Sequence, residues 1–387
     1  MASSNEALDT LNSLVKNAIS LVSQLDTVVT SVAAEKQTKS SAQKPGISGD
    51  SLDALAVAHD SAALIKAHAT KISLLIINEP FTPSAVTKVV RELVSAPVPS
   101  LAAAVEACSP QRYTRIIQQD LAWRAGRVLR ELKELLLRVP KDGKVVSGAD
   151  KTSSAGSAAG RGSIATTGVL WAACDDVMAF SKRGFAGNLA HKIDQLRDTL
   201  KDIMEELKEW GEESEEGDGD EEHDAENAGG VSQVTSQLAS SSIAAPQDAQ
   251  AILDDLMNNQ QHIPRDDPHK IRDRLNSCLK RLRLTTLLYQ AAVKRRLRPL
   301  PHLPPASPSD VPARLDEVMP IFKRLPDKFG SLAMAFYDLD PSEIDRLMDE
   351  CFFDAFAAAE LLAKPWEGQK DEFTDWALRF QVEIKKG

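Results

Sequence analysis

The chain has 387 residues and a formal net charge of −10, with 43% hydrophobic and 5% aromatic residues. That length exceeds one compact helical domain and predicts two globular units with linkers. The low aromatic content argues against a β-sandwich or barrel, whose strands favour aromatic and β-branched residues. No apolar run reaches the roughly 18 residues of a membrane span, and no charged-then-apolar leader opens the chain. The expectation is a protein that neither spans a membrane nor is secreted.

In chain order, residues 6–33 place Leu8, Leu11, Val15, Ala18, Val22, Leu25, Val29 and Val32 at alternating steps of three and four. That is a heptad seam on one long helix. A polar linker (34–50) precedes a helix over 51–77, with the same steps at Leu55, Ala58, Ala62, Ile65, Ala69, Ile72 and Ile76. Thr82-Pro83 reads as N-cap and first-turn Pro of a helix 83–95, which ends at Pro97 and Pro99. Ser109-Pro110 opens a further helix to about Val139. A Gly/Ser/Ala-rich loop (141–163) leads to helices over 163–182 and 185–210. Helices near 246–260 and 268–298 come after an acidic run. Five prolines between 299 and 310 exclude helix there. Helices over 311–324, 327–339, 341–363 and 370–385 complete the chain, the third opened by an Asp340-Pro341-Ser342-Glu343 capping signature.

The fold class is therefore all-α: elongated bundles of long antiparallel helices. The expected organisation is an N-terminal helical bundle (1–210, with flexible loops 34–50 and 141–163), an acidic disordered linker (211–245) and a C-terminal helical region (246–387). Charge is unevenly placed. From Glu205 to Glu226 thirteen carboxylates accompany one Lys, while 265–298 holds eleven Lys/Arg against three Asp. The acidic run has too few apolar residues to offset the entropy of ordering.

Chemistry-bearing patterns are missing. The seven histidines show no i, i+4 pair on one helix and no Cys partner at metal spacing. The four cysteines (Cys108, Cys174, Cys278, Cys351) form no CxxC and suit buried thiols in a reducing compartment. Gly160-Arg161-Gly162-Ser163 follows no strand and lacks the Gly-Lys-Ser/Thr of a phosphate loop. Asp175 and Asp176 diverge by about 100° on a helix and make no acid–base pair. No catalytic residue, cofactor or metal is assigned.

Three candidate contact sites stand out. Ile193, Leu196, Leu200, Ile203 and Leu207 form a seam that could zip to a partner, though packing within its own bundle is the stronger reading. Lys294, Arg295, Arg296 and Arg298 could form a basic patch for nuclear import or phosphate contact. Aromatic interleaving is absent there, which disfavours nucleic acid. Arg298, Pro301 and Pro304 fit the R-x-x-P-x-x-P spacing of SH3-type ligands, though a stiff spacer is the stronger reading.

Thr167-Gly168-Val169-Leu170-Trp171-Ala172-Ala173-Cys174-Asp175, then Asn188, then a heptad helix ending Met204-Glu205-Glu206-Leu207 before an acidic run, resembles the cyclin-D-binding protein family. Its members are also called Grap- and cyclin-D-interacting proteins. Trp123-Arg124-Ala125-Gly126-Arg127 upstream is compatible. The resemblance implies an all-helical regulator without enzymatic activity. It would act in nucleus and cytoplasm on cell-cycle or transcription control. Its implied partners are D-type cyclins, SH3-bearing adaptors and helix-loop-helix factors. Thr167, Gly168, Trp171, Cys174, Asp175 and Asn188 read as a fold signature, with Trp171 and Cys174 on one face packing in the core. Two rival readings are a vinculin- or catenin-like cytoskeletal adaptor and a nucleic-acid-binding regulator using 270–298.

Overall fold

The computed structural model describes residues 2–34, 53–146, 162–216, 262–300, 309–366, 368 and 370–386. The expected helix 246–260, most of the two flexible loops, most of the acidic linker and 301–308 lie outside the described residues. Among the described residues the fold is all-α. The helices are α1 (Ala2–Ala34), α2 (Ala54–Ile77), α3 (Pro83–Ser95), α4 (Pro97–Ala107), α5 (Pro110–Tyr113), α6 (Arg115–Leu137), α7 (Ser163–Glu216), α8 (Ile271–Ala292), α9 (Val311–Tyr337), α10 (Pro341–Ala363) and α11 (Glu372–Ile384). A π-turn, Val293–Leu297, continues α8.

Contacts gather the chain into two compact units. One is Met1–Lys192 with Val293–Met319; the other is Ile193–Ala292 with Pro320–Gly387. The sequence instead places the division in the acidic run. Helix α7 extends to Glu216, so the expected linker begins later than residue 211.

In the first unit α1 packs on α6 and α3, and α2 on α4 and α3. The seam of α2 is buried throughout: Leu55, Ala58, Ala62, Ile65, Ala69, Ile72 and Ile76 are at most 2% exposed. Each buried Leu or Ile stabilises the fold by roughly 1.5–3 kcal/mol. Asp53 caps α2 by accepting from Leu55 N, and the Tyr113 hydroxyl accepts from Ala54 N. Helix α3 ends at Ser95, ahead of Pro97 and Pro99, as expected; those prolines then open α4, which the sequence reading did not place, because proline in a first turn lacks only an N–H that would go unpaired anyway. Thr82 and Ser109 make no side-chain cap bond.

The predicted helix from Ser109 also divides. Thr114 adopts φ 76°, ψ 152°, which separates α5 from α6. This conformation is costly for a residue with a Cβ. It is held by two acceptors: Thr114 Oγ1 receives Ile117 N, and the Asp316 carboxylate receives Arg115 N at 2.9 and 3.0 Å.

In the second unit α10 packs on α11, and both pack on α8. The Asp340 capping signature forms as expected, its carboxylate accepting from Ser342 N and Glu343 N. Helix α9 runs through Pro320 and Pro326, where the sequence predicts two helices. Beyond Pro320, Phe322, Leu325, Phe329, Leu332 and Phe336 bury this helix, and that packing outweighs the hydrogen bonds each proline removes. The Asp354 carboxylate, 5% exposed, takes a bidentate bond from Arg324 at 2.7 Å and a contact from Lys328 at 3.0 Å.

Candidate functional site

Helices α2 and the first part of α7 lie side by side in the first unit, joined by three polar contacts. Lys66 Nζ pairs with Asp175 at 2.6 Å, Trp171 Nε1 donates to Thr70 Oγ1 at 3.1 Å, and Thr167 Oγ1 donates to Ser73 Oγ at 3.0 Å. As the number rises on α2 it falls on α7, so the two helices run antiparallel.

Helical spacing places Ala67 and Leu74 of α2 opposite Ile164, Gly168 and Trp171 of α7. Leu74 is 51% exposed, Ile164 50% and Trp171 37%. A Cβ added to Gly168 would meet nothing within 4 Å. The result is an exposed apolar strip with bare backbone at Gly168, the α2–α7 furrow. Glycine inside a helix costs about 1 kcal/mol relative to alanine, and no described residue packs into the space that a Gly168 side chain would take.

This corrects the sequence reading of Trp171. Its neighbour on the pattern, Cys174, is fully buried, and burial pushes that thiol up to about 12. Trp171 instead stands at the surface with its indole N–H tied to α2. Only part of the signature is core. Thr167 is buried and Asp175 is an interhelical ion-pair partner.

Asn188 has a distinct structural task. Gly184 takes φ 70°, ψ −177° and breaks α7 internally. The Asn188 side-chain amide donates to Phe180 O and Gly184 O, both at 2.7 Å. One side chain thus braces the break.

The other candidate residues land as follows. Ile193, Leu200 and Leu207 are buried and Leu196 and Ile203 half-buried within the second unit, so the seam is largely occupied by its own bundle. Of the basic patch, Lys294, Arg295 and Arg298 are exposed, but Arg296 is 1% exposed. The π-turn inserts one extra residue per turn and rotates Arg296 inward, so it belongs to no surface patch. Pro301 and Pro304 lie outside the described residues. Among the described residues no group of His, Cys, Asp and Glu is placed to hold a metal, and no helix is long and apolar enough to cross a membrane.

The furrow itself escapes sequence analysis, although its signal is present. Helix α2 carries apolar residues (Leu64, Ala67, Leu74) beyond those its one buried seam can use.

Among the described residues the first unit is a helical bundle that leaves Leu74, Ile164 and Trp171 exposed beside the α2–α7 contact. Residues 58–213 are similar to the family described as "Grap2 and cyclin-D-interacting, N-terminal". An uncharacterized protein of Schizosaccharomyces pombe is 30% identical over 159 residues, covering 41% of this chain and 44% of that protein. The chain thus spans less than half the length of this curated relative. Both the furrow and the Gly184–Asn188 brace fall inside the matched span.

Proposed function

We propose that this protein is a non-enzymatic helical regulator that binds other proteins through the α2–α7 furrow, in cell-cycle or transcription control. The observation that carries the reading is the furrow: Leu74, Ile164 and Trp171 exposed around a glycine that no described residue packs against. A contiguous exposed apolar surface on a folded bundle marks an interaction site. A partner helix of small-and-apolar pattern fits, since Gly168 permits close backbone approach. The family's name supports cyclin and Grap-type adaptor partners, and the earlier resemblance adds helix-loop-helix factors.

The test is titration calorimetry of the purified chain against a D-type cyclin, an SH3-bearing adaptor and a helix-loop-helix segment. Leu74→Ser with Ile164→Ser should weaken binding at least about tenfold, since two anchors of roughly 1–2 kcal/mol each are lost. Undiminished binding by that variant would place the contact elsewhere. Binding to none of the three would remove the regulatory reading, and saturable co-sedimentation with actin would replace it with the cytoskeletal one.

A further inference from the structure

A groove between α1 and the end of α6 lies wholly in the first unit. Asn12 Nδ2 donates to Lys141 O at 3.2 Å and Arg130 pairs with Asp26 at 3.0 Å, so residue numbers rise along α1 as they fall along α6. Beside the first of these contacts the groove has a volume of about 240 Å³. Its lining is sorted along its length. Asn12, Lys16 and Lys141 line one end, and Ile19 and Leu137 the other, with Val15 and Val139 between. Helical side chains lean toward the helix N-terminus, which carries the Lys16 ammonium toward Asn12. Leu137 is 48% exposed and Ile19 half-buried, so the apolar end is open to a ligand. Both lysines are exposed, and neither ammonium meets a carboxylate among the described residues. No Asp or Glu lines the groove. The Asp142 carboxylate, next to Lys141, accepts from Lys144 N at 3.1 Å. Asp9 and Glu134, the acids closest in sequence on α1 and α6, are not lining residues.

We propose that this groove binds a medium-chain fatty-acid anion, its carboxylate on Lys16 and Lys141 and its tail along Val15 toward Ile19 and Leu137. Charge favours that occupant. Two cations at one end, with no carboxylate in the lining, attract an anion and repel a cation. Size favours it as well. The α1 wall from Asn12 to Ile19 is about 10 Å long, enough for one short alkyl chain. A partner helix, itself about 10 Å across, has no room in 240 Å³. The lysine stems add methylenes to the walls while their ammonium groups stay in water. The tail covers the exposed part of Leu137, and each methylene taken out of water strengthens binding about fourfold.

Calorimetric titration of the full-length chain with four probes tests this: octanoate, hexanoate, acetate and octylammonium. Octanoate should bind saturably, one molecule per chain. Hexanoate, shorter by two methylenes, should bind about tenfold more weakly. Acetate keeps the head without the tail, and octylammonium the tail with the opposite charge; each should bind at least about tenfold more weakly than octanoate. Lys16→Gln with Lys141→Gln removes both head contacts at exposed positions, so the urea midpoint should stay unchanged while octanoate affinity falls at least about tenfold. Methyl resonances of Ile19 and Leu137 should move with octanoate and stay in place with acetate. Absence of saturable octanoate binding overturns the proposal. So does octylammonium binding as tightly as octanoate, which is apolar adhesion without recognition of the head. Undiminished octanoate binding by the double lysine variant, or unmoved Ile19 and Leu137 methyls, places the ligand elsewhere and also overturns it. A five-residue acidic peptide with one central leucine that binds more tightly than octanoate and moves the same methyls would give the groove to a protein partner instead.

Discussion

Asn188→Ala is expected to destabilise the first unit by about 2–4 kcal/mol. Its side-chain amide makes two hydrogen bonds of 2.7 Å, to Phe180 O and Gly184 O. Two neutral hydrogen bonds contribute roughly 2 kcal/mol net. Asn188 is 6% exposed, so water does not readily take over at those carbonyls, and their poorer satisfaction adds up to about 2 kcal/mol more. Gly184→Ala strikes the same break from the backbone side. Its φ of 70° with ψ −177° is a region almost confined to glycine, worth about 1–3 kcal/mol for another residue. Because both changes act on one short stretch, the double variant should cost less than the sum. Urea unfolding read by amide exchange, peptide by peptide, is the suitable assay. A chain with two compact units has no single whole-molecule unfolding free energy. A cost below about 0.5 kcal/mol, or a loss spread evenly into the second unit, would refute the bracing role.

Gly168→Ala should stabilise the first unit by up to about 1 kcal/mol, because the new Cβ meets nothing within 4 Å and alanine is the better helix former; a loss in urea midpoint would mean the furrow is already filled by this chain. Asp354→Asn should cost the second unit about 2–4 kcal/mol, somewhat under a wholly buried pair because Arg324 is half exposed. Burial works against the Asp354 charge, but Arg324 and Lys328 outweigh it and hold the pKa below the ordinary carboxylate value. Its contribution is therefore present above about pH 4 and is lost as pH falls through the lowered folded value, so wild type and variant should converge in acid titrations. His68→Gln should flatten the pH dependence of the first unit's stability. Burial and Lys71 lower the His68 pKa, against the opposing pull of Glu92 at 3.9 Å. The wild-type fold thus loses stability as pH falls below about 6.5, toward the lower folded value, and a variant with the same slope would contradict that reading.

Periodicity alone determined the class and the main seams of this protein. The step pattern at Leu55 through Ile76 named seven of the ten buried positions of α2 and missed Ala54, Ser61 and Ser73, because one apolar stripe per helix must face a core while small and polar residues beside it carry no such signal. The bounds of α3 and α10 followed from proline and acidic caps, which act within a single turn. The residues 167–188 also carried the family resemblance, and they fall inside the matched span 58–213. What they do was decided by tertiary structure. Trp171 and Cys174 look equivalent on a helical wheel, yet a neighbour covers only one of them, and a wheel holds no information about where the neighbouring helix ends. Arg296 reads as one more surface cation until a single extra residue per turn rotates it inward. The furrow exists because α2 and α7 meet along Lys66, Thr70 and Ser73 and leave Leu74, Ile164 and Gly168 beside that line. Such a surface depends on which two helices become neighbours, and long-range packing, rather than local pattern, makes that choice.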